Sequence, residues 1–194
     1  MKVFISMLLI GIGLVVVLFI GPRTLDLPKI GKIEEWPLTS TKGEVPNFNE
    51  KPKLLTFFYT NCPDICPTTI IDLQDLQQLL KERGVKEDQY MIVLVTLDPT
   101  FDTNERINQY KAAFDISSPN WVFLRGSNEA TMTFTQYFNF TYDKNQNGLL
   151  THSTTMYVVD ENDLIRAHHD MAVGGEKVNI EEIAENLIQL IDAT

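Results

Sequence analysis

The residues able to do chemistry cluster in one short run, Phe57-Phe58-Tyr59-Thr60-Asn61-Cys62-Pro63-Asp64-Ile65-Cys66-Pro67. Its two cysteines are the only ones among 194 residues. An apolar, aromatic stretch leads straight into the first thiol, and a helical pattern begins at once after it. Thiols at a strand-to-helix junction meet backbone N–H groups and the positive end of the helix dipole, which favour thiolate over thiol. Thiolates serve two chemistries, soft-metal binding and disulfide exchange. At i and i+4 of a helical turn the two side chains project from one face, close enough to grip one ion or to join as a disulfide. The competing reading is a pair of small buried hydrophobes; the flanking Asn61, Pro63 and Asp64 argue against it.

Two thiolates leave a metal under-coordinated, so a third donor is sought among His152, His168 and His169. His152 sits in Leu150-Thr151-His152-Ser153-Thr154, where a loop leads into a strand. A lone loop histidine is often simply solvated, so the residues alone leave both a ligand and a solvated reading open. His168 and His169 follow a strand and read as exposed polar residues, and Met171 reads as packing. Peroxide chemistry at Cys62 would want an arginine nearby, and none is close in sequence. As a redox pair the thiols make the chain a candidate thiol–disulfide enzyme, although the spacing is one residue longer than the Cys-x-x-Cys of dedicated oxidoreductases.

The surrounding pattern supplies the scaffold. Lys53–Thr60 and Tyr90–Leu97 are continuous apolar runs, as expected of strands covered on both faces. A helix is expected from Pro63 to Arg83, with Gly84 as its stop and Pro67 distorting its first turn. Asp102-Thr103-Asn104-Glu105 reads as a capping box with Asp102 as N-cap of a helix running to Phe114. Trp121–Leu124 is a short strand, Ser127–Tyr137 a helix, and Asp143–Leu150 a turn or loop. Thr154–Val159 and Leu164–His168 form an antiparallel pair, and Asn179–Ala193 is an amphipathic closing helix. Lys32–Leu38 and Glu44–Phe48 are expected as an N-terminal β-hairpin around Thr39–Gly43. The order β-β-β-α-β-α-β-α-β-β-α implies an α/β fold, a central mixed sheet flanked by helices on the thioredoxin-like plan.

Before this domain, Val3–Ile20 holds 18 residues without a charge. As a helix it would be about 27 Å long, enough to cross most of a bilayer core. Gly21-Pro22-Arg23 makes a poor cleavage site, so residues 1–23 are expected to be an uncleaved single-pass anchor, 24–32 a linker and 33–194 one domain. Lys2 lies on one side of the run and Arg23, Lys29 and Lys32 on the other, a distribution that does not set the orientation. The net charge of −10, from 26 acidic and 16 basic residues, argues against a nucleic-acid partner.

The motifs together resemble the Sco/SenC family. The resemblance is carried by Tyr59-Thr60-Asn61-Cys62-Pro63-Asp64-Ile65-Cys66-Pro67, by Thr96-Leu97-Asp98-Pro99 with Asp102-Thr103, by Trp121–Gly126, and by His152-Ser153 ahead of Met156–Asp160. It spans roughly residues 33–192, in the family's order and spacing. These are membrane-anchored, thioredoxin-like copper proteins that assemble the CuA centre of cytochrome c oxidase. The resemblance implies that Cys62, Cys66 and His152 bind copper, as Cu(I) or Cu(II), and that the partner is the CuA domain of oxidase subunit II. It also implies a soluble domain on the extracytoplasmic face of the cell membrane. Its second implication is enzymatic: Cys62 and Cys66 as redox-active thiols that reduce the CuA cysteines, served by a thiol reductant protein. Many relatives carry Asp just before the histidine, where this chain has Thr151. Asp64, Asp98 and Asp102 match family motifs too, and caps and turns account for them equally well.

Overall fold

The computed structural model describes residues 26–48, 50–145 and 149–193. The expected anchor over 1–23 lies outside them; among the described residues no helix is long and apolar enough to cross a membrane. In chain order the elements are β1 (Gly31–Lys32), β2 (Thr39–Ser40), β3 (Lys53–Phe58), α1 (Ile65–Glu82), β4 (Met91–Thr96), α2 (Asn104–Ala113), β5 (Trp121–Arg125), α3 (Asn128–Gln136), β6 (Tyr142–Lys144), β7 (Leu150–His152), β8 (Thr155–Val159), β9 (Leu164–Asp170) and α4 (Ile180–Asp192). A seven-stranded sheet runs β1-β9-β8-β3-β4-β5-β2, and β6 with β7 forms a separate two-stranded sheet.

The sheet is mixed because its centre and its flanks come from different connections. Helical crossovers make β3, β4 and β5 parallel, while β8 returns antiparallel against β3 and β9 against β8. All six residues of β3 and all six of β4 are buried, as their unbroken apolar runs require. Successive residues of β3 face opposite sides. Phe57 packs on Phe138 and Phe140, at ring distances of 5.5 and 4.2 Å. Phe58 packs on Tyr110 of α2 and Phe123, at 5.6 and 5.3 Å. The two faces of β3 thus fill two aromatic cores. α1 and α2 are linked by Gln74 Nε2, which donates to the Phe114 carbonyl.

Helix α1 positions the second thiol. It starts two residues later than the sequence suggests, with Asp64 as N-cap. Pro67 is therefore its third residue, inside the first turn, where a missing N–H costs nothing. The helix ends at Gly84 (φ +85). There Gly84 N–H donates to Lys81 O and Val85 N–H to Leu80 O, which closes the last turn.

Three expectations are corrected. The N-terminal hairpin is absent: β1 pairs with β9 and β2 with β5, at opposite edges of the sheet, and Glu44–Phe48 forms no strand. A turn does reverse the chain there, with Ser40 N–H bonded to Glu44 O at 2.8 Å, but edge positions on the main sheet hold the flanking residues instead. The N-cap of α2 is Thr103, whose side chain accepts from Arg106 N, and Asp102 turns inward. The segment 143–150 is no simple loop, since it carries the ends of the β6–β7 hairpin. Residues 26–32, the tail of the expected linker, lie on the domain: Arg166 holds Asp26 and the Leu27 and Pro28 carbonyls.

Candidate metal centre

Cys62 lies just beyond the end of β3, in the turn before α1. Its N–H donates to the Tyr59 carbonyl at 3.1 Å, which bends the chain as it leaves the sheet. Asp64 offers α1 no side-chain cap, and the Cys62 sulfur fills that role by accepting the Cys66 N–H at 3.4 Å. The helix start thus places partial positive charge on one sulfur. Both cysteines are free; Cys62 is 9% exposed and Cys66, on the inner face of α1, 1%.

The two thiols differ sharply in acidity. A hydrogen bond from the Cys66 thiol, opposed by burial and aided by His152 and by backbone N–H groups of Asp64 and Cys66, pulls Cys62 down to about 4. Donation to that sulfur, together with burial and the nearby negative charge, pushes Cys66 far up. In the metal-free protein the pair is one thiolate and one thiol.

His152 arrives from a remote segment, as the last residue of β7, opposite Tyr142 of β6. Its ring lies between two aromatics, edge-on to Tyr59 and stacked with Phe140, each at 6.0 Å. Nδ1 lies 2.7 Å from the Ser153 carbonyl. A carbonyl can only accept, so Nδ1 carries a proton; Nε2 donates to the Cys62 thiolate when the ring is protonated and offers its lone pair to a metal once that proton is lost. This backbone bond supplies the orientation that a neighbouring carboxylate gives in many histidine sites. Thr151, the residue before His152, is exposed. Burial lowers the His152 pKa, but hydrogen bonds to Cys62 and Ser153 and the charge of Cys62 outweigh it and leave the pKa raised.

The ligand atoms of Cys62, Cys66 and His152 all lie within 4.8 Å of one another. Atoms bound at about 2.0–2.3 Å to one ion lie within about 4.5 Å of each other, so a shift of a few tenths of an ångström closes the site. The donor set, two sulfurs and one imidazole, is soft and three-coordinate. Met171 is 3% exposed and packs in the core. His168 is exposed and stands apart from the cluster. His169 departs from expectation: it is 7% exposed, its Nε2 3.0 Å from the Asn186 amide nitrogen.

Two residues around the centre escaped their sequence reading. Asp102 is fully buried and takes hydrogen bonds from the Thr60 N–H and from the Thr60 and Thr96 hydroxyls, bracing the turn that carries Cys62. The Tyr59 hydroxyl donates to the Leu150 carbonyl at 3.4 Å, so the residue before the cysteine turn also touches the histidine strand. The motif match flagged Asp102, but its capping signal pointed to the helix.

A family model described as SCO1/SenC matches residues 29–191. A SCO2-like protein of Rickettsia typhi is 27% identical over 162 residues, which cover 79% of this chain and 76% of the relative. Among solved structures, Arabidopsis thaliana ScoI with copper bound superposes with a TM-score of 0.67 at 24% identity, covering 81% of this chain and 96% of that one. BsSco, described with a disulfide switch and as a member of the Sco family of cytochrome c oxidase assembly proteins, superposes with a TM-score of 0.73 at 21% identity, covering 87% and 98%. These likenesses are to the thioredoxin-like fold expected from the element order.

Proposed function

The chain belongs to the SCO1/SenC family, and from that membership we propose that it is a copper-binding assembly factor for cytochrome c oxidase, holding copper through Cys62, Cys66 and His152. One observation carries the assignment: sulfurs from the start of α1 and the turn before it, and nitrogen from a segment some ninety residues away, meet within 4.8 Å. Thiolates select Cu(I), and imidazole suits Cu(II), so the set suits either state. Zinc in a closed structural site would want a fourth ligand. Copper here is cargo. Three donors leave it open to attack by another thiolate site, so ligands exchange one at a time. The recipient on this reading is the CuA site of subunit II. The apolar run 3–20 then tethers the domain to the cell membrane, on its extracytoplasmic face.

The test is spectroscopic. Reduced protein given Cu(II) forms a one-to-one complex with an intense sulfur-to-copper charge-transfer band. Cys62→Ser, Cys66→Ser and His152→Ala each weaken or abolish it. Undiminished binding in all three variants refutes the assignment.

The unequal acidity of the thiols favours a second role on the same residues, as a thiol–disulfide oxidoreductase. The Cys62 thiolate attacks a CuA-site disulfide and forms a mixed disulfide. Cys66, once deprotonated, displaces it, leaving the target as two thiols and this chain with a Cys62–Cys66 disulfide. A thiol reductant protein restores the pair. Oxidase assembly separates the roles: the reductase role needs no imidazole, so it predicts loss with Cys62→Ser and none with His152→Ala.

A further inference from the structure

We propose that Lys144 is a positioning residue: its ion pair with Asp98 latches the β6–β7 hairpin to the main sheet and so fixes where His152 stands relative to the sulfurs. The inference rests on the reading of Cys62, Cys66 and His152 as copper ligands.

The hairpin needs such a tie. It is a separate sheet of two three-residue strands, and an isolated two-stranded ribbon is marginal in water. Its position therefore depends on its attachments. Strand β7 is attached through the buried Leu150 side chain and through its carbonyl, which accepts from Tyr59. Strand β6 is attached through Tyr142, partly buried against the core at the His152 end, and at its other end through Lys144, whose Nζ lies 2.5 Å from Asp98 Oδ2. Lys144 pairs with Leu150 across the ribbon, one residue pair beyond the Asp143–Thr151 pair and two beyond Tyr142–His152. One strand alone would leave the ribbon free to turn about its long axis. Ties on both strands stop that rotation and set the imidazole.

Asp98 is a firm post for this tie. Its side chain is 8% exposed. Its N–H donates to the Thr96 hydroxyl at 3.0 Å, and its carbonyl accepts from Phe101 and Asp102. It thus continues the buried strand β4. Lys144, by contrast, is 45% exposed. A pair that is half in water is weak enough to open thermally, so the latch can release the imidazole while both sulfurs keep their hold.

Cu(II) draws on the imidazole, whereas the two thiolates alone suit Cu(I). The latch therefore matters for one oxidation state and not for the other. In the full-length chain, kept anaerobic, Lys144→Met is expected to weaken Cu(II) by about fivefold, the upper limit for a half-exposed ion pair. Cu(I) affinity stays within about twofold on the same reasoning, and Lys144→Arg restores the Cu(II) value. In the metal-free protein, Lys144→Met speeds amide exchange in residues 142–144 and 150–152 and leaves β3 and β4 unchanged. Equal losses for Cu(I) and Cu(II), or wild-type Cu(II) affinity with unchanged hairpin exchange, overturn the latch. His152→Ala is the control: if it too leaves Cu(II) affinity intact, the ligand reading falls, and the latch with it.

Discussion

The Cys66 N–H points at the Cys62 sulfur from 3.4 Å, so one of the two thiols caps the helix that carries the other. This geometry, with the thiol of Cys66 as a second donor, holds Cys62 as a thiolate down to about 4. The buried Cys66 is held as a thiol. Reactivity should follow. In the reduced, metal-free protein, iodoacetamide alkylates Cys62 at a rate that stays flat between about pH 6 and 8, where an ordinary thiol gains about tenfold per unit. Cys66 remains unmodified over the same period. In Cys66→Ala the onset of Cys62 alkylation moves up toward the ordinary thiol range. Peptide mass spectrometry reads both sites, and a Cys62 rate that climbs through pH 8 in the native protein would contradict the account.

Asp102 makes the next case. Its carboxylate gathers the Thr60 N–H and the hydroxyls of Thr60 and Thr96 behind the cysteine turn. Asp102→Ala orphans the buried Thr96 hydroxyl and two half-buried donors of Thr60 and should cost about 2–4 kcal/mol, given about 1–3 for each unsatisfied group and incomplete additivity. Asp102→Asn keeps acceptors for part of the set and should cost less. Burial raises the Asp102 pKa against the pull of these hydrogen bonds. A carboxyl raised above its unfolded value favours the fold when protonated, and that contribution is lost as pH rises through the folded pKa. The native protein should therefore gain on Asp102→Asn as pH falls from 7 toward 4. Urea midpoints across that range decide the matter; an advantage that shrinks on acidification sinks it.

The parts of this molecule that were legible in its sequence are those whose cause is local. β3 and β4 announce themselves because covered strands need unbroken apolar runs. The cysteine turn is legible because an apolar strand that runs into a helical pattern must turn between them, although Cys62 lies in that turn and only Cys66 on the helix, not both on one helix face. The β6–β7 hairpin was not, because its polar residues 142–145 resemble solvated turn and its shape comes from remote ties to Asp98 and Tyr59. Asp102 carries a capping signal that Thr103 satisfies equally well, and only the distant Thr60 and Thr96 settle which of them turns inward. His169 was read as a surface residue because the strand was expected to end at His168; β9 runs on to Asp170, so His169 stays on the sheet and turns inward, where Asn186 of the remote α4 meets its ring.

That buried histidine sets a pH dependence away from the metal centre. Burial, with help from the charge of His168, lowers the His169 pKa against the attraction of Glu182 and Asp170. A histidine depressed in the fold adds stability that is fully present above its unfolded pKa of about 6.5 and is lost as pH falls toward the folded value. Unfolding free energy, taken relative to His169→Gln, should decline from pH 7.5 to 5.5, with a slope of at most about 1.4 kcal/mol per unit from this one proton. The difference isolates His169 from His152 and Asp102, whose raised pKa values act in the opposite direction. Urea denaturation at four pH values suffices, and parallel curves for the two proteins would remove His169 as the cause.

Lys53 opens β3, the strand whose other end leads to Cys62, and its side chain is fully buried. Its ammonium donates to the carbonyls of Phe48 at 2.6 Å and Asp160 at 2.9 Å and pairs with Asp163 at 3.0 Å. Burial lowers its pKa against these attractions. Removing one partner of a buried pair strands the other, so Lys53→Met should cost about 3–5 kcal/mol. Asp163 sits at φ +61 and accepts from Trp36 Nε1 at 3.1 Å. Asparagine tolerates that backbone and keeps an acceptor without the charge. Lys53→Met with Asp163→Asn should therefore recover about 1–2 kcal/mol of the loss, because the stranded charge is gone while the orphaned carbonyls remain. A double-mutant cycle by urea unfolding measures the coupling. Strict additivity of the two changes would mean that the buried ammonium is held by the carbonyls of the chain alone, with no help from Asp163.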